Sequence, residues 1–207
     1  ISVSATNYRG GLLAPESIAA AFAANFSTTT ASAPAGQPLP TTLAGASVTV
    51  TDTAGTGRQA PLYFVSPNQI NYLIPTGTAI GNATITYNNS SGVVGTNTVT
   101  ITNVAPGFFT VDSTGRGLPI AFIQRVSATG TSSFEPLARF DTATNQWVAI
   151  PIDLGPATDQ VFLAIFGSGF RGRSSLSAVT AFVGETAAQV TYAGTQGQFI
   201  GVDQTNI

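Results

Sequence analysis

Residues 82–102, NATITYNNSSGVVGTNTVTIT, hold two runs of alternation around a polar turn. In the first run Ile85 and Tyr87 stand between polar neighbours, and in the second Val99 and Ile101 stand between threonines. A period of two sends one set of side chains to one face of an extended chain and the other set to the opposite face. Asn88, Asn89, Ser90, Ser91 and Gly92 are turn formers, so the stretch reads as a β-hairpin. Threonine on the outward face fits, because β-branching suits an extended backbone. Ala46, Val48 and Val50 alternate with Ser47, Thr49 and Thr51 in the same way. Ile18–Asn25 is rich in alanine, as a helix would be, but reads as strand because of its counterpart later in the chain.

That counterpart belongs to an internal duplication. Ala21–Phe26 (AFAANF) matches Ile165–Phe170 (IFGSGF), each after a Pro-containing turn. Leu43–Val50 (LAGASVTV) matches Leu176–Val183 (LSAVTAFV), and Ala60–Val65 (APLYFV) matches Ala188–Ala193 (AQVTYA). Last, Pro67–Asn71 matches Val202–Asn206. The expected fold is all-β: two tandem immunoglobulin-like antiparallel β-sandwiches, 1–106 and 107–207. The second opens with extra hairpins between Gly107 and Ile152, a stretch too apolar to be a solvated linker. The repeats end differently. After Asn71 the first runs on through the 82–102 hairpin, whereas one residue follows Asn206, so the second is expected to lack its last two strands.

Composition bounds the function. The chain has 207 residues, and hydrophobic residues make up 43%, ordinary for a globular protein. Charged residues make up 8%, against about 25% in typical soluble domains. Seven arginines, nine acids and no lysine give a net charge of −2. Such a surface neutralises few phosphates and holds no polybasic patch, so no nucleic-acid or anionic-lipid partner is expected. No apolar run reaches the roughly 20 residues of a membrane span, so no membrane insertion is expected. A start at Ile1 without a signal-peptide pattern suggests a processed or partial chain.

The residues for common chemistry are missing. Without histidine, cysteine or lysine the chain lacks the usual general base, thiol nucleophile, zinc ligands, Schiff-base amine and phosphate-loop lysine. Asp153 and Asp159 flank one loop but match no paired-carboxylate signature, and read as turn and cap residues. Asp141 with Asn145 lacks the further acids of a calcium loop. Gly167-Ser168-Gly169 has no helix after it and reads as a tight bend. Arg171 and Arg173 read as ion-pair partners for acids, and Trp147 as core. The expectation is a non-enzyme with no catalytic residue, cofactor or metal site.

Three segments resemble an uncharacterised C-terminal domain family of secreted and surface proteins of acidobacteria. They are Tyr8–Ile18 (YRGGLLAPESI), Pro38–Gly45 (PLPTTLAG) and Ala60–Asn71 (APLYFVSPNQIN), joined by Ala105–Thr110 (APGFFT) and by 135–206. The domains look similar to the immunoglobulin-like modules of plexins and some transcription factors. The resemblance implies a bacterial, extracellular or cell-surface protein; family members continue past the position of Asn206 with a Pro-containing turn and a final hairpin, and this sequence departs from that pattern. It carries over no activity and no catalytic residue.

Two function classes follow. The first is an extracellular structural subunit, self-associating into a filament or surface layer by donor-strand complementation. Ile1, Val3 and Ala5, alternating with Ser2, Ser4 and Thr6, form the candidate donor strand, the other reading being the first strand of its own domain. Phe199, Ile200, Val202 and Ile207 form the candidate open acceptor edge. The completing strands come either from a neighbour or from residues beyond Ile207. The second class is an adhesion or carbohydrate-binding module of a larger secreted protein, with surface glycans as partners.

Overall fold

The computed structural model describes residues 1–35 and 37–207, and nearly all regular structure in it is β. The first unit contains β1 (Ser2–Ser4), β2 (Leu12–Leu13), β3 (Ile18–Phe22), β4 (Ala31–Ser32), β5 (Thr42–Leu43) and β6 (Ala46–Thr51). It continues with β7 (Gly57–Gln59), β8 (Leu62–Val65), β9 (Gln69–Leu73), β10 (Gly81–Asn89) and β11 (Gly92–Ile101). One sheet has the order β1-β3-β9-β8-β4, the other β2-β11-β10-β6-β5 with β7 beside β6. All pairings are antiparallel except β2 with β11. Side chains from both sheets meet in one core: Ala19, Ala21, Ile70 and Tyr72 from the first, Val48, Val50, Ile85, Val99 and Ile101 from the second. The alternating residues of the 82–102 hairpin thus point inward, while its threonines face out.

The core also holds a polar bridge. Tyr72 on β9 and Tyr87 on β10 lie in opposite sheets, and the Ser2 hydroxyl bonds both phenol oxygens, that of Tyr72 at 2.6 Å. Burial pushes the Tyr72 hydroxyl well above its ordinary pKa. The bridge explains a departure from simple alternation. Ser2, Ser4 and Thr6 are buried, whereas Ile1 is exposed. Two buried phenols need a partner, and an apolar residue in place of Ser2 would leave them unsatisfied.

The second unit contains β12 (Gly107–Phe108), β13 (Ala121–Val126), β14 (Ser132–Pro136), β15 (Ala138–Asp141), β16 (Gln146–Ala149) and β17 (Gln160–Ser168). After a short 3₁₀ turn at Leu176–Ala178 come β18 (Ala181–Val183), β19 (Thr186–Ala188), β20 (Tyr192–Thr195) and β21 (Asp203–Asn206). One sheet has the order β14-β13-β17-β21-β20, with β12 beside β17, and the pairs β15–β16 and β18–β19 stand apart. The second unit thus holds one six-stranded sheet and two separate hairpins. Its buried apolar side chains among the described residues are Ile123, Ala164, Ile165, Phe170 and Ala193.

The matched segments share their pairing register. Ala20, Ala21 and Phe22 oppose Asn71, Ile70 and Gln69; Ala164, Ile165 and Phe166 oppose Asn206, Thr205 and Gln204. Phe64 and Val65 oppose Asn71 and Ile70, just as Tyr192 and Ala193 oppose Asn206 and Thr205. Thr49 opposite Gln59 in β6–β7 becomes Phe182 opposite Ala187 in β18–β19. β13 takes the place of β1, with Ala121 opposite Ile165 where Ser2 is opposite Ala21. The strands β10 and β11 have no counterpart among the described residues.

Asp52, in the turn after β6, ties that turn to the approach to β10. Its carboxylate accepts from the Ala79, Ala54 and Thr56 N–H groups at 3.0, 3.0 and 3.1 Å and pairs with Arg58 at 2.5 Å. The Ala79 N–H bond foremost, helped by Arg58, lowers its pKa from 3.8 to about 2 despite burial. A carboxyl whose folded pKa is depressed stabilises the fold above its unfolded value and loses that contribution as pH falls through the folded one. Denaturant melts at stepped pH should therefore show an acid loss between 3.8 and about 2 that Asp52→Asn flattens.

Candidate functional site

The carboxylates considered for chemistry serve as structural partners. Arg125 on β13 gathers three acidic residues: Glu135 at 2.7 Å, Asp159 at 3.6 Å, and the Asp153 carbonyl oxygen, to which it donates at 2.5 Å. Glu135 above all raises the Arg125 pKa. The Asp153 carboxylate accepts from the Gly155 N–H at 2.8 Å, and Asp141 accepts from the Ala143 N–H at 3.0 Å. Among the described residues no group of three or more acids, histidines or cysteines could hold a metal ion. No helix among them is long and apolar enough to cross a membrane.

Gly167–Arg171 forms the joint between the units. Ser168 is buried; its hydroxyl accepts from the Ile18 N–H at 3.0 Å and donates to the Gly201 carbonyl at 2.8 Å. The Gly169 carbonyl accepts from the Ala105 N–H at 2.7 Å. Gly169 has φ +88°, and a Cβ there would strike the Ala105 carbonyl oxygen. At Gly201, φ +73°, a Cβ would lie 2.5 Å from Leu73 Cδ1 and 2.8 Å from Ile18 Cγ1. Both positions combine a left-handed backbone with contact too close for any side chain. Arg171 pairs with Asp203 at 2.7 Å and with Glu16 of the first unit at 3.5 Å. Arg173 is different, with a buried Nε that has no hydrogen-bond partner.

The donor segment takes the other of its two readings, the first strand of its own domain, and the acceptor segment differs from expectation. The candidate donor is placed inside its own fold: Ser2–Ser4 pairs with Ala19–Ala21, Val3 is buried, Ala5 is half-buried and its N–H donates to the Ile18 carbonyl at 3.0 Å. The expected acceptor edge is corrected. Val202 and Ile207 flank β21, which lies between β17 and β20 and so is interior to its sheet. The Ile207 N–H and carbonyl both bond Leu163, at 3.0 and 2.8 Å. Phe199 and Ile200 form the turn before β21, and the Ile200 carbonyl accepts from the Tyr63 hydroxyl.

The unpaired edge belongs to β18. In the first unit β6 has β7 on one side and β10 on the other. Among the described residues, β18 has β19 alone. Val50 is fully buried, while Val183, its repeat equivalent, is 63% exposed. Phe182 beside it is 65% exposed. Next to the hairpin lies a cleft of about 680 Å³ lined by Val104, Pro106, Phe108, Phe170, Val179 and Thr205, with Arg173 at its wall. The duplication already held the signal for this edge. Leu43–Val50 matches Leu176–Val183, so β18 stands where β6 does and its uncovered side runs along 180–183.

Trp147, expected in the core, is 41% exposed and packs edge-on against Phe140 at 5.5 Å. It borders a cleft of about 610 Å³ shared with Asp112, Arg116, Asn145 and Gln146.

Comparison with protein-family models, with curated proteins and with solved structures finds no match to this chain.

The joint is directly testable. Arg171→Ala would leave the Asp203 carboxylate buried without its cation, a loss of about 3–5 kcal/mol for a broken buried pair. Thermal melts of Arg171→Ala should show that loss, while Arg139→Ala at an exposed position should stay within about 0.5 kcal/mol of the parent.

Proposed function

We propose that this chain is an extracellular structural subunit that self-associates into a filament or surface layer through strand complementation. The observation that carries the reading is the β18–β19 hairpin. It keeps the register of β6–β7, and among the described residues no strand pair covers it as β10–β11 cover β6. An unpaired strand edge is a template for another chain, because its free N–H and C=O groups seek partners. The low charge supports the same reading, since close packing of copies then requires little desolvation of ions. The resemblance to domains of secreted acidobacterial proteins supports the location. The roles of subunit and cell-surface protein require no catalysis, in keeping with a chain that lacks His, Cys and Lys.

The exposed Trp147 favours a second reading, an adhesion or carbohydrate-binding module. An aromatic ring beside Asp112, Arg116, Asn145 and Gln146 offers a sugar both a stacking face and hydrogen-bonding groups. Immunoglobulin-like folding of the second unit, completed by added strands, belongs to either reading.

Purified protein should form filaments or sheets by negative-stain electron microscopy and sediment as large species. Assembly should hold from about 0.1 to about 1 M salt, conditions that shrink electrostatic reach from about 10 to about 3 Å. A species that stays monomeric at all concentrations, with Trp147 fluorescence quenched by a polysaccharide, would select the second reading instead.

A further inference from the structure

The first unit shows what covers a hairpin of this kind. β10 lies antiparallel to β6, with Asn88, Tyr87, Thr86 and Ile85 opposite Ser47, Val48, Thr49 and Val50. Carried across by the repeat, that register puts an incoming strand opposite Thr180, Ala181, Phe182 and Val183. The cleft next to this edge is floored by Phe170 and Thr205, which hold the positions of Phe26 and Ile70 in the first unit's core. There Ile85, Tyr87, Val99 and Ile101 of β10–β11 complete the cover. The site therefore fits an antiparallel strand pair with one apolar face, the first strand about four residues long at the contact.

The chain carries such a pair. β15 and β16 pair with each other and, among the described residues, with no further strand. The register sets Ala138 opposite Ala149 and Phe140 opposite Trp147, so alternation gathers all four on one face. Arg139, Asp141, Gln146 and Val148 occupy the other face. The apolar face is largely uncovered, with Phe140 45% and Trp147 41% exposed. Each strand has four residues, the length of the edge 180–183. None of the four side chains on the apolar face is charged, and aromatic side chains in a cleft are the usual anchors of an interface.

We propose that the β15–β16 hairpin of one copy docks along the β18 edge of the next, with Phe140 and Trp147 entering the cleft beside Phe170. This deepens the subunit reading and rests on it. The two surfaces differ, so the contact is heterologous and repeats from copy to copy, which builds an open fibre rather than a closed dimer.

Trp147 is the single tryptophan, so its emission reports the contact directly. In the full-length parent protein, emission should move to shorter wavelength as concentration rises and fibres form. A donor variant, Phe140→Ser with Trp147→Ser, and an acceptor variant, Val183→Asp, alter exposed side chains and should keep the parent's circular dichroism. Ala181→Asp, at the position of inward-facing Val48, serves as a second acceptor variant should Val183→Asp disturb the fold. Each variant alone should need at least about thirtyfold more protein to assemble, the loss typical of a central anchor. Mixed in equal amounts, donor and acceptor variants should form a heterodimer that stops there, because one competent hairpin meets one competent edge. Parent fibres with donor or acceptor variants assembling like the parent would overturn this contact and leave the subunit reading standing. So would a mixture that gives no heterodimer. A parent that never assembles would overturn both.

Discussion

The Asp203 carboxylate has no solvent exposure and accepts from the Phe170 N–H at 2.9 Å, the Arg171 N–H at 3.2 Å and the Arg171 side chain at 2.7 Å. A buried charge is tolerable only when its lone pairs are filled, and here the chain just after β17 fills them. The same arginine reaches Glu16 and donates to the Val202 carbonyl at 3.1 Å. One ion pair therefore locks β21 to β17 and both to the first unit. The glycine contacts at Gly169 and Gly201 bring the backbones close enough for that geometry. The position of the second sheet depends on this joint, and with it the direction in which the β18–β19 hairpin points.

Much of the fold was legible in the sequence because period-two alternation is a local property. The hairpin at 82–102 and the strand at 46–51 lie where that pattern puts them, and the alanine-rich 18–22 segment is strand in spite of its composition. The matched segments were legible to single-residue accuracy, since equivalent residues pair in equivalent registers. The burial of Ser2 was not. It follows from Tyr72 and Tyr87, two phenols far along the chain whose hydroxyls converge on one point in the core. Hydrophobic patterning ranks serine as outward and has no knowledge of such a demand.

The candidate site was legible in kind and misplaced in position. Reasoning from the last residues set the open edge at 199–207, where the chain turns back and β20 pairs with β21. Which strand lies at an edge is a property of topology, and it emerged only once β18 was seen to stand in for β6. Trp147 was assigned to the core on residue type, yet an amphipathic hairpin without a covering sheet leaves its aromatic face in solvent. The stretch 107–152 likewise split into two fates. β13 and β14 joined the main sheet, whereas β15 and β16 remained a separate arm.

The ion pairs have one more consequence, for durability. Proteases that cut after basic residues need an accessible arginine or lysine in a segment that can extend into their cleft. This chain has no lysine, and Arg58, Arg125 and Arg171 are held in salt bridges with side-chain exposures of 29%, 15% and 14%. Arg58 and Arg125 sit within strands, where the backbone is already committed to neighbours, and Arg171 is clamped at the joint. Arg9 and Arg116 are exposed outside the strands, so cutting should start there, whereas a nick at Arg171 would first require the two units to come apart.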